Sequence, residues 1–224
     1  MKFYDYFTRI ERINEGIKMA KELGWNGIVV SIPYTSENLE KLKAEKTDFD
    51  LIIAAEIDIA GLKNPKKTLR KLRRKFEILI GRGGTAEVNR KIVEMPEFDI
   101  LVNHVIDKEK CGINHVLARL ARKNNVAICF DFHSVLTSYG KTRAKLFSAL
   151  VETAKIVKKY NSPFVISSGA ISEWDLRSPH DLGVFGKVLG LPEDKIKHWL
   201  SEKLIEENRK RLTEKWIMPG VEIE

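Results

Sequence analysis

The feature that most limits what this chain can fold into is the regular alternation of short apolar segments with amphipathic helical ones. The segments rich in β-branched and aromatic residues are 2–7, 27–32, 51–59, 76–81, 100–105, 126–130 and 164–168. Runs such as 51–55 and 126–130 are almost wholly apolar, which is typical of parallel strands covered on both faces. The pattern predicts one α/β domain over residues 1–224, a TIM-like barrel that need not be perfectly closed. A doubly wound open sheet is the structural alternative.

Helix start and stop signals lie between the strand segments. Thr8-x-x-Glu11 is a capping box and predicts a helix that runs to about Leu23. Asn64-Pro65 predicts an N-cap followed by a proline in the first turn. The remaining predicted helices are 142–160, ended by Asn161-Ser162-Pro163, and two extra C-terminal helices at 178–189 and 192–212, before a tail at about 212–224.

Several classes of protein are disfavoured by the composition. No apolar stretch approaches the length of a membrane span, and the N-terminus lacks the apolar core of a signal peptide. Cys111 and Cys129 fit neither a metal-ligand spacing nor a disulfide framework. We therefore expect a protein of the reducing cytoplasm, with no membrane partner.

Positive charge is concentrated in one segment. The chain carries a net charge of +8, and residues 63–75 contain eight lysines and arginines with no acidic residue. Leu62, Leu69, Leu72 and Phe76 recur at helical spacing, so one side of this helix should face the core and the other should be basic. Such a surface suits the closely spaced phosphates of folded RNA, although a merely solvated helix face is the simpler explanation.

Further basic residues broaden this expectation. His115, Arg119 and Arg122 are spaced to share one face of a helix that begins near Asn114. The guanidinium of Arg177 could bind a phosphate with two hydrogen bonds. The complete set of candidate RNA contacts is Lys66, Lys67, Arg70, Arg73, Arg74, Arg82, Arg90, Lys108, His115, Arg119, Arg122, Lys123 and Arg177.

Acidic and histidine residues at strand ends support a catalytic alternative. Glu56, Asp58, His104, Asp131 and His133 could line the top of a barrel, where they could bind a divalent metal and activate water for phosphodiester hydrolysis. A third hypothesis is a small-molecule barrel enzyme, in which the glycine-rich turn 81–85 cradles a phosphate. That turn matches neither the dinucleotide fingerprint nor the P-loop.

Four segments carry a resemblance to a known family. They are Gly112-Ile113-Asn114-His115-Val116-Leu117-Ala118, the strand 126–130, Ser167-Ser168-Gly169-Ala170 with Trp174-Asp175-Leu176-Arg177-x-Pro179-x-Asp181-Leu182, and Glu207-Asn208-Arg209-Lys210-Arg211-Leu212. Over essentially its whole length the chain resembles the protein component 3 family of archaeal ribonuclease P, the counterpart of the thirty-kilodalton protein subunit of the eukaryotic enzyme.

The resemblance implies a TIM-like barrel that serves as a non-catalytic subunit of ribonuclease P, which removes the 5′ leader of precursor tRNA. It implies that the chain binds the catalytic domain of the ribonuclease P RNA, pairs with a smaller protein subunit and meets precursor tRNA only indirectly. No cofactor is expected on the chain itself, because the RNA would use the Mg²⁺.

The chain also resembles the polymerase-and-histidinol-phosphatase (PHP) phosphoesterases, with ligand positions altered. Those enzymes carry Ser-Asp-Ala-His where this chain has Ser168-Gly169-Ala170-Ile171, so Gly169 and Ile171 replace two metal-binding side chains. Their first-strand His-x-His is replaced by Asp5-Tyr6-Phe7. The resemblance therefore implies a PHP-like scaffold without catalytic or metal-binding residues of its own.

Overall fold

A computed structural model describes residues 2–34, 48–195, 203–212, 216–218 and 221–222. Seven parallel strands form one sheet in which each strand pairs with the next along the chain. They are β1 (Tyr4–Thr8), β2 (Gly27–Pro33), β3 (Asp50–Ile57), β4 (Ile78–Arg82), β5 (Ile100–Val102), β6 (Ala127–Asp131) and β7 (Phe164–Ser167). A doubly wound sheet would reverse direction at a switch point, so the consecutive order confirms the barrel and excludes the alternative.

The barrel is almost closed where its two edge strands meet. The Gly169 amide donates to the Phe7 carbonyl at 3.1 Å, and the Arg9 amide donates to the Ala170 carbonyl at 2.7 Å. These bonds join β1 to the chain just beyond β7 instead of forming a regular ladder. The imperfect closure expected from the sequence is therefore confirmed.

Side chains alternate between the inside of the barrel and the surrounding helices. Ile52 and Ala54 of β3 lie in the inner apolar cluster, whereas Ile53 and Ala55 pack in the outer one. The same alternation places Cys129 inside and Phe130 outside on β6. Because both faces of every strand are covered by protein, the strands read as continuous apolar runs.

Helices surround the barrel, and the last of the described helices packs against its lower end. They are α1 (Ile13–Glu22), α2 (Pro65–Leu72), α3 (Ala86–Val93), α4 (His115–Asn124), α5 (Phe132–Leu136), α6 (Gly140–Tyr160), α7 (Pro179–Val188) and α8 (Lys203–Leu212). Asn114 caps α4 by accepting from the amides of Val116 and Leu117, each at 3.0 Å. Helix α6 ends at Asn161, whose φ of +52° is left-handed. No helix in the described ranges is long and apolar enough to cross a membrane.

The predicted capping box at the first helix is wrong. Thr8 belongs to β1, and its hydroxyl donates to the Val29 carbonyl at 3.0 Å. Helix α1 begins later, at Ile13, after Arg12, which makes no capping bond through its side chain. Thr8 therefore contributes its hydrogen bonds to the sheet and does not cap the helix. Asn64 is the N-cap of α2 as predicted, but it also makes no side-chain capping bond.

The C-terminal helix closes the bottom of the barrel. Leu204 and Ile205 of α8 join the inner apolar cluster. Arg209 binds Asp50, with its Nη1 2.9 Å from Oδ2, and also Glu77, with its Nε 3.0 Å from Oε2. These acidic residues stand at the beginnings of β3 and β4, so the helix bridges the lower ends of both strands. The predicted helix 192–212 is thus observed over Lys203–Leu212, while its residues 196–202 lie outside the described ranges.

Short strands occur within the predicted C-terminal tail. Trp216–Met218 (β8) and Val221–Glu222 (β9) pair antiparallel. The rest of segment 213–224 lies outside the described residues.

Candidate nucleic-acid interface

Helix α2 presents a basic surface to the outside of the barrel. Leu69 and Leu72 are buried against the core, as the helical spacing predicts. The exposed residues Lys66, Lys67, Arg70, Lys71 and Arg74 line a groove of about 660 Å³ together with Asn64, Pro65 and Met95. The Arg70 Nε is 3.6 Å from Glu97, yet the Arg70 side chain stays 76% exposed. Most of this charge therefore faces solvent.

Arg73 does not belong to that surface. Its guanidinium forms two hydrogen bonds with Asp99, and its side chain is only 16% exposed. Burial lowers the pKa of Arg73, but the neighbouring Asp99 carboxylate outweighs burial and raises that pKa above its ordinary value. Asp99 also accepts from the Leu79 amide at 2.8 Å and from Asn208 at 3.0 Å. Arg73 thus ties α2 to the bottom of the barrel, and we leave it out of the candidate RNA contacts.

A second basic cluster surrounds Tyr160 at the end of α6. The Arg119 guanidinium lies 5.1 Å from the centre of the Tyr160 ring, and the Lys159 ammonium lies 5.7 Å from it. The His115 ring is 6.4 Å away. Arg122 donates to the Tyr160 carbonyl at 3.4 Å. The sequence predicted the α4 residues but missed Tyr160 and Lys159, because Arg122 and Tyr160 are 38 residues apart in the chain and only the fold brings them together.

The basic clusters lie on neighbouring helices. Helices α2, α3 and α4 follow β3, β4 and β5, which are adjacent in the sheet. Asn124 at the end of α4 donates to the Val93 carbonyl at the end of α3 at 2.7 Å, which holds these two helices together. The exposed Arg90 on α3 pairs with Glu94 at 2.8 Å, and Lys108 and Lys123 are exposed nearby in the chain. The clusters therefore form one sector of the surface.

Arg177 lies outside that sector. Its Nη1 donates to the carbonyls of Trp174 at 3.0 Å and Leu176 at 2.7 Å, and its guanidinium stacks 5.5 Å from the Phe132 ring. The Trp25 indole donates to the Arg177 carbonyl at 2.8 Å, which anchors this loop near α1. Part of the guanidinium is thus used within the loop, and the two-bond phosphate contact stays a proposal.

Polar side chains stand at the mouth of the barrel. Every second residue of a strand faces the inside of the barrel, and at the C-terminal end of the strand that residue is polar. These inward-facing polar residues are Ser31, Glu56, Arg82, His104, Asp131 and Ser167. Glu56 is buried and bound by two arginines, Arg9 at 2.7 Å and Arg82 at 2.6 Å. Burial favours a higher pKa for Glu56, but the two guanidinium groups outweigh it and hold that pKa below its ordinary value. Arg9, which the sequence did not single out, therefore completes this cluster.

These contacts do not support the metal-dependent alternative. Asp58 is exposed and only caps the turn Ile59–Gly61, accepting from the Ala60 amide at 3.0 Å. His133 lies on α5 with its Nδ1 3.7 Å from Asp175. Among the described residues, no group of three His, Cys, Asp or Glu side chains could hold a metal ion. The alternative set of five ligands is not supported, because Asp58 caps a turn and the carboxylate of Glu56 is bound by Arg9 and Arg82.

Asp131 and Gly169 lie in contact at the mouth. Gly169 has a φ of +63°, and a Cβ added there would overlap the Asp131 carboxylate and lie 3.2 Å from the His133 Cβ. Burial raises the pKa of Asp131 to about 7, although its Oδ1 accepts from the His133 amide at 2.9 Å. Where the PHP phosphoesterases would place a metal-binding side chain, the backbone here packs directly on a carboxyl group.

The glycine-rich turn 81–85 is not a free phosphate cradle. The Gly83 amide donates to the Val102 carbonyl at 2.9 Å, and the Gly84 amide donates to Asn89 at 3.1 Å. Thr85 accepts from the Val88 amide and so caps α3. Because these donors are used within the fold, the small-molecule hypothesis based on this turn loses its support.

Comparisons with known proteins agree with the fold. The sequence family described as RNase P subunit p30 matches residues 3–213. The ribonuclease P protein component 3 of Methanococcus maripaludis (strain S2) is 32% identical over 221 residues, which cover 93% of each chain. That of Methanocaldococcus jannaschii is 33% identical over 190 residues, covering 83% of this chain and 82% of the relative.

Two solved structures resemble the chain, one in both sequence and fold and the other in fold alone. A chain of the cryo-EM structure of archaeal ribonuclease P with mature tRNA superposes with a TM-score of 0.84, at 32% identity, over 98% of this chain and 97% of that one. A histidinol phosphate phosphatase from Lactococcus lactis superposes with a TM-score of 0.53 at 13% identity, over 85% of this chain and 95% of that chain. The second similarity concerns the fold alone.

Proposed function

Because the chain belongs to the RNase P subunit p30 family, we propose that it is an RNA-binding protein subunit of ribonuclease P and supports removal of the 5′ leader from precursor tRNA. The observation that carries the proposal is the basic sector formed by α2, α3 and α4 with Tyr160. Its proposed contacts are Lys66, Lys67, Arg70, Arg74, Arg90, Lys108, His115, Arg119, Arg122 and Lys123, with Arg82 and Arg177 as separate contacts.

The proposed contribution of the chain is electrostatic. Lysine and arginine side chains offset repulsion between RNA phosphates, and binding is strengthened by the release of counterions. The Tyr160 cluster adds a fixed arrangement of cations around one aromatic ring, which limits the loss of side-chain entropy on binding. With this support the RNA would reach its active fold at a lower Mg²⁺ concentration.

In this proposal the RNA carries the chemistry. The RNA holds the Mg²⁺ ions that activate the attacking water, while the chain acts in the cytoplasm as a non-catalytic partner of the RNA. Support for this comes from Glu56, which is neutralised by Arg9 and Arg82 instead of being open to a metal ion.

A smaller protein subunit is the second proposed partner. The exposed apolar side chains Trp174, Val184 and Val188, which are 73%, 42% and 62% exposed, lie on α7 and the loop before it. Helix α7 follows β7, whereas the basic sector follows β3, β4 and β5, so a protein bound to α7 would leave the helices of that sector free. Apolar patches of this kind mark protein contacts in soluble proteins.

The test is reconstituted cleavage of precursor tRNA as a function of Mg²⁺ concentration. The full chain is combined with archaeal ribonuclease P RNA and the other protein subunits. We expect the double variant Arg119→Ala, Arg122→Ala to need more Mg²⁺ for half-maximal cleavage, because two phosphate contacts are lost. The control is Arg12→Ala, an exposed arginine beside α1 and outside the basic sector.

Two outcomes would oppose the proposal. One is an unchanged Mg²⁺ requirement in the double variant. The other is cleavage by the purified chain without any RNA subunit, if that cleavage is lost in Asp131→Asn.

A further inference from the structure

The side chain of Tyr139 stands open to solvent between α5 and α6. It is 76% exposed, the highest value among the exposed large apolar side chains of the described ranges. Tyr139 is the N-cap residue of α6, yet its side chain makes no capping hydrogen bond. N-cap positions favour Ser, Thr, Asp and Asn, whose short side chains reach the first backbone amides. The Tyr139 ring therefore serves neither the core nor the helix cap.

A guanidinium is held beside this ring. The Arg143 guanidinium lies 5.2 Å from the centre of the Tyr139 ring. Its Nε donates to the Ser138 carbonyl and its Nη2 donates to the Leu136 carbonyl at 3.2 Å, whereas its Nη1 has no partner among the described residues. The Tyr139–Arg143 pair thus presents an open aromatic ring next to a positive charge with a free N–H group.

The segment that carries Tyr139 is fixed by local hydrogen bonds. The Thr137 hydroxyl donates to the His133 carbonyl at 2.8 Å, and the Ser138 hydroxyl donates to the Ser134 carbonyl at 2.6 Å. Ser138 itself is buried, although it directly precedes the exposed ring. Because this segment is already ordered in the free chain, a partner that binds Tyr139 loses little free energy to ordering it.

Positive charge surrounds this pair. No acidic residue occurs from 132 to 151, a segment that contains Lys141, Arg143 and Lys145. Lys145 pairs with Glu109 at 2.8 Å, but Lys141 and Arg143 are exposed and make no ion pair among the described residues. Over its whole length α6 carries six lysines and arginines and a single acidic residue. An anionic partner therefore fits this corner of the barrel.

Trp174 provides a contrast at nearly equal exposure. It is 73% exposed, but Glu173 and Asp175 flank it in the chain, and the exposed Val184 and Val188 lie on the helix that follows. Acidic and apolar neighbours suit the protein partner proposed above and disfavour a phosphate. The charge around the two aromatic rings therefore assigns them to different partners.

Helix α6 connects the Tyr139–Arg143 pair to the basic sector. The helix has 21 residues and is therefore about 30 Å long, with Tyr160 and its cluster of cations at the other end. Lys155, Lys158 and Lys159 are exposed in its last turns. An RNA held by the Tyr160 cluster thus has the Tyr139–Arg143 pair within about 30 Å.

We propose that the Tyr139–Arg143 pair binds an unpaired nucleotide of RNA. The base stacks on the Tyr139 ring, Nη1 of Arg143 donates to the phosphate, and the Lys141 ammonium adds to the attraction. Proteins bind single-stranded and looped RNA in this way, with bases stacked on aromatic side chains and cations along the backbone. The inference rests on the proposed function, because the nucleotide is expected to belong to the bound ribonuclease P RNA.

The test compares the binding of ribonuclease P RNA by the full-length wild type, Tyr139→Ala and Tyr139→Phe. We expect Tyr139→Ala to weaken binding about fivefold or more and Tyr139→Phe to bind like the wild type, because stacking needs the ring and not the hydroxyl. Trp174→Ala is the matched control and should leave RNA binding unchanged. Since both positions are exposed, all three variants should unfold at the wild-type temperature.

Salt dependence separates stacking from the phosphate contact. Tyr139→Ala should lower the affinity without changing the slope of log affinity against log salt, because a stacked base releases no counterions. Arg143→Gln removes a charge and should reduce that slope by about 1. A reduced slope in Tyr139→Ala would show that the ring only positions Arg143, and it would contradict stacking.

Three further results would overturn the inference while the proposed function stands. One is equal RNA binding by the wild type and Tyr139→Ala. Another is binding by Tyr139→Phe as weak as by Tyr139→Ala, which would indicate a hydrogen bond through the hydroxyl. The third is unchanged RNA binding by Tyr139→Ala with weaker binding of the smaller protein subunit, which would assign this surface to a protein. If the wild-type chain itself does not bind ribonuclease P RNA, the proposed function fails as well.

Discussion

At the residue scale, the mouth of the barrel depends on a contact that only glycine allows. Gly169 combines a φ of +63° with a position directly against the Asp131 carboxyl group. We expect Gly169→Ala to lower the free energy of unfolding by roughly 2–5 kcal/mol, because left-handed backbone costs roughly 1–2 kcal/mol and overpacking adds about 1–3 kcal/mol. Urea denaturation of the full chain measures this change.

Gly190→Ala is the matched control. Gly190 has a φ of +87°, but no atom lies within 4 Å of the position its Cβ would take. Its substitution should therefore cost only the backbone contribution of roughly 1–2 kcal/mol. Equal losses in the two variants would show that the contact with Asp131 does not constrain position 169.

Asp5 should make stability depend on pH. It is fully buried and accepts from the hydroxyls of Ser167 and Ser168 and from the Ser168 amide at 3.1 Å. Burial outweighs these bonds and raises the pKa of Asp5 from 3.8 to about 6. Between about pH 4 and pH 6 the folded chain keeps a proton that the unfolded chain has lost, so this contribution to stability decreases as pH rises.

Asp5→Asn removes this titration. The unfolding free energies of the wild type and of Asp5→Asn are measured from pH 4 to pH 7. The value for the wild type minus the value for Asp5→Asn should decrease as pH rises to about 6 and then stay constant. His104 titrates with the opposite sign, but it is present in both proteins and cancels in the difference. The Asp5 charge also helps to raise the pKa of Asp131, so the difference includes this coupling. A difference that is constant with pH would contradict the raised pKa of Asp5.

The position of a site residue could be predicted only where the alternation of inward-facing and outward-facing residues along a strand determines it. Glu56, His104 and Asp131 continue the inward-facing positions of β3, β5 and β6, so the sequence placed them correctly near the mouth. Arg9 could not be found in this way, since its role comes from the charge of Glu56, which is 47 residues away in the chain. The same alternation would place Asp58 and His133 inside the barrel. Both residues lie beyond the end of their strand, however: Asp58 caps a turn and His133 belongs to α5.

At the element scale, α2 shows what helical periodicity does and does not determine. The spacing of Leu69 and Leu72 gave the buried side of the helix correctly. It could not distinguish Arg73 from Arg74, because the partner of Arg73 is Asp99, at the bottom of the barrel. That partner becomes visible only when β5 is placed beside β4.

The neighbouring arginines provide a paired test. Arg73→Ala leaves Asp99 buried without its cation, and we expect it to lower the unfolding free energy by about 3–5 kcal/mol. Arg74→Ala removes an exposed charge and should change stability by less than about 0.5 kcal/mol while weakening RNA binding. Chemical denaturation and RNA binding are measured on both variants. Equal destabilisation, or RNA binding weakened only by the folded Arg73→Ala variant, would reverse the assignment.

Helix α8 shows a relation that the sequence could not reveal. The sequence Glu207–Leu212 contributed to the family resemblance. The packing of α8 into the lower end of the barrel depends instead on Leu204 and Ile205, which contact inward-facing residues of strands that are distant in the chain. Arg209 also serves Asp50 and Glu77, which lie 159 and 132 residues away in the chain. The last helix is therefore part of the barrel core, and its basic residues are not all available to RNA.

At the scale of the whole molecule, the seven barrel strands and the excess of positive charge could both be predicted, but the distribution of that charge over the surface could not. The consecutive strand order brings α2, α3 and α4 together and leaves Arg177 near the seam between β1 and β7. The central claim is that this sector binds RNA. This proposal rests on the strand order and on the exposed lysines and arginines, each of which can be substituted without removing a buried side chain.

The most direct test is filter binding of the full chain to ribonuclease P RNA and to an unrelated folded RNA of equal length, over a series of salt concentrations. We predict tighter binding to ribonuclease P RNA with a steep salt dependence. Arg119→Ala should reduce the slope of log affinity against log salt by about 1, whereas Arg12→Ala should not. Equal binding to both RNAs, with a slope unaffected by Arg119→Ala, would contradict the assignment of this surface to ribonuclease P RNA.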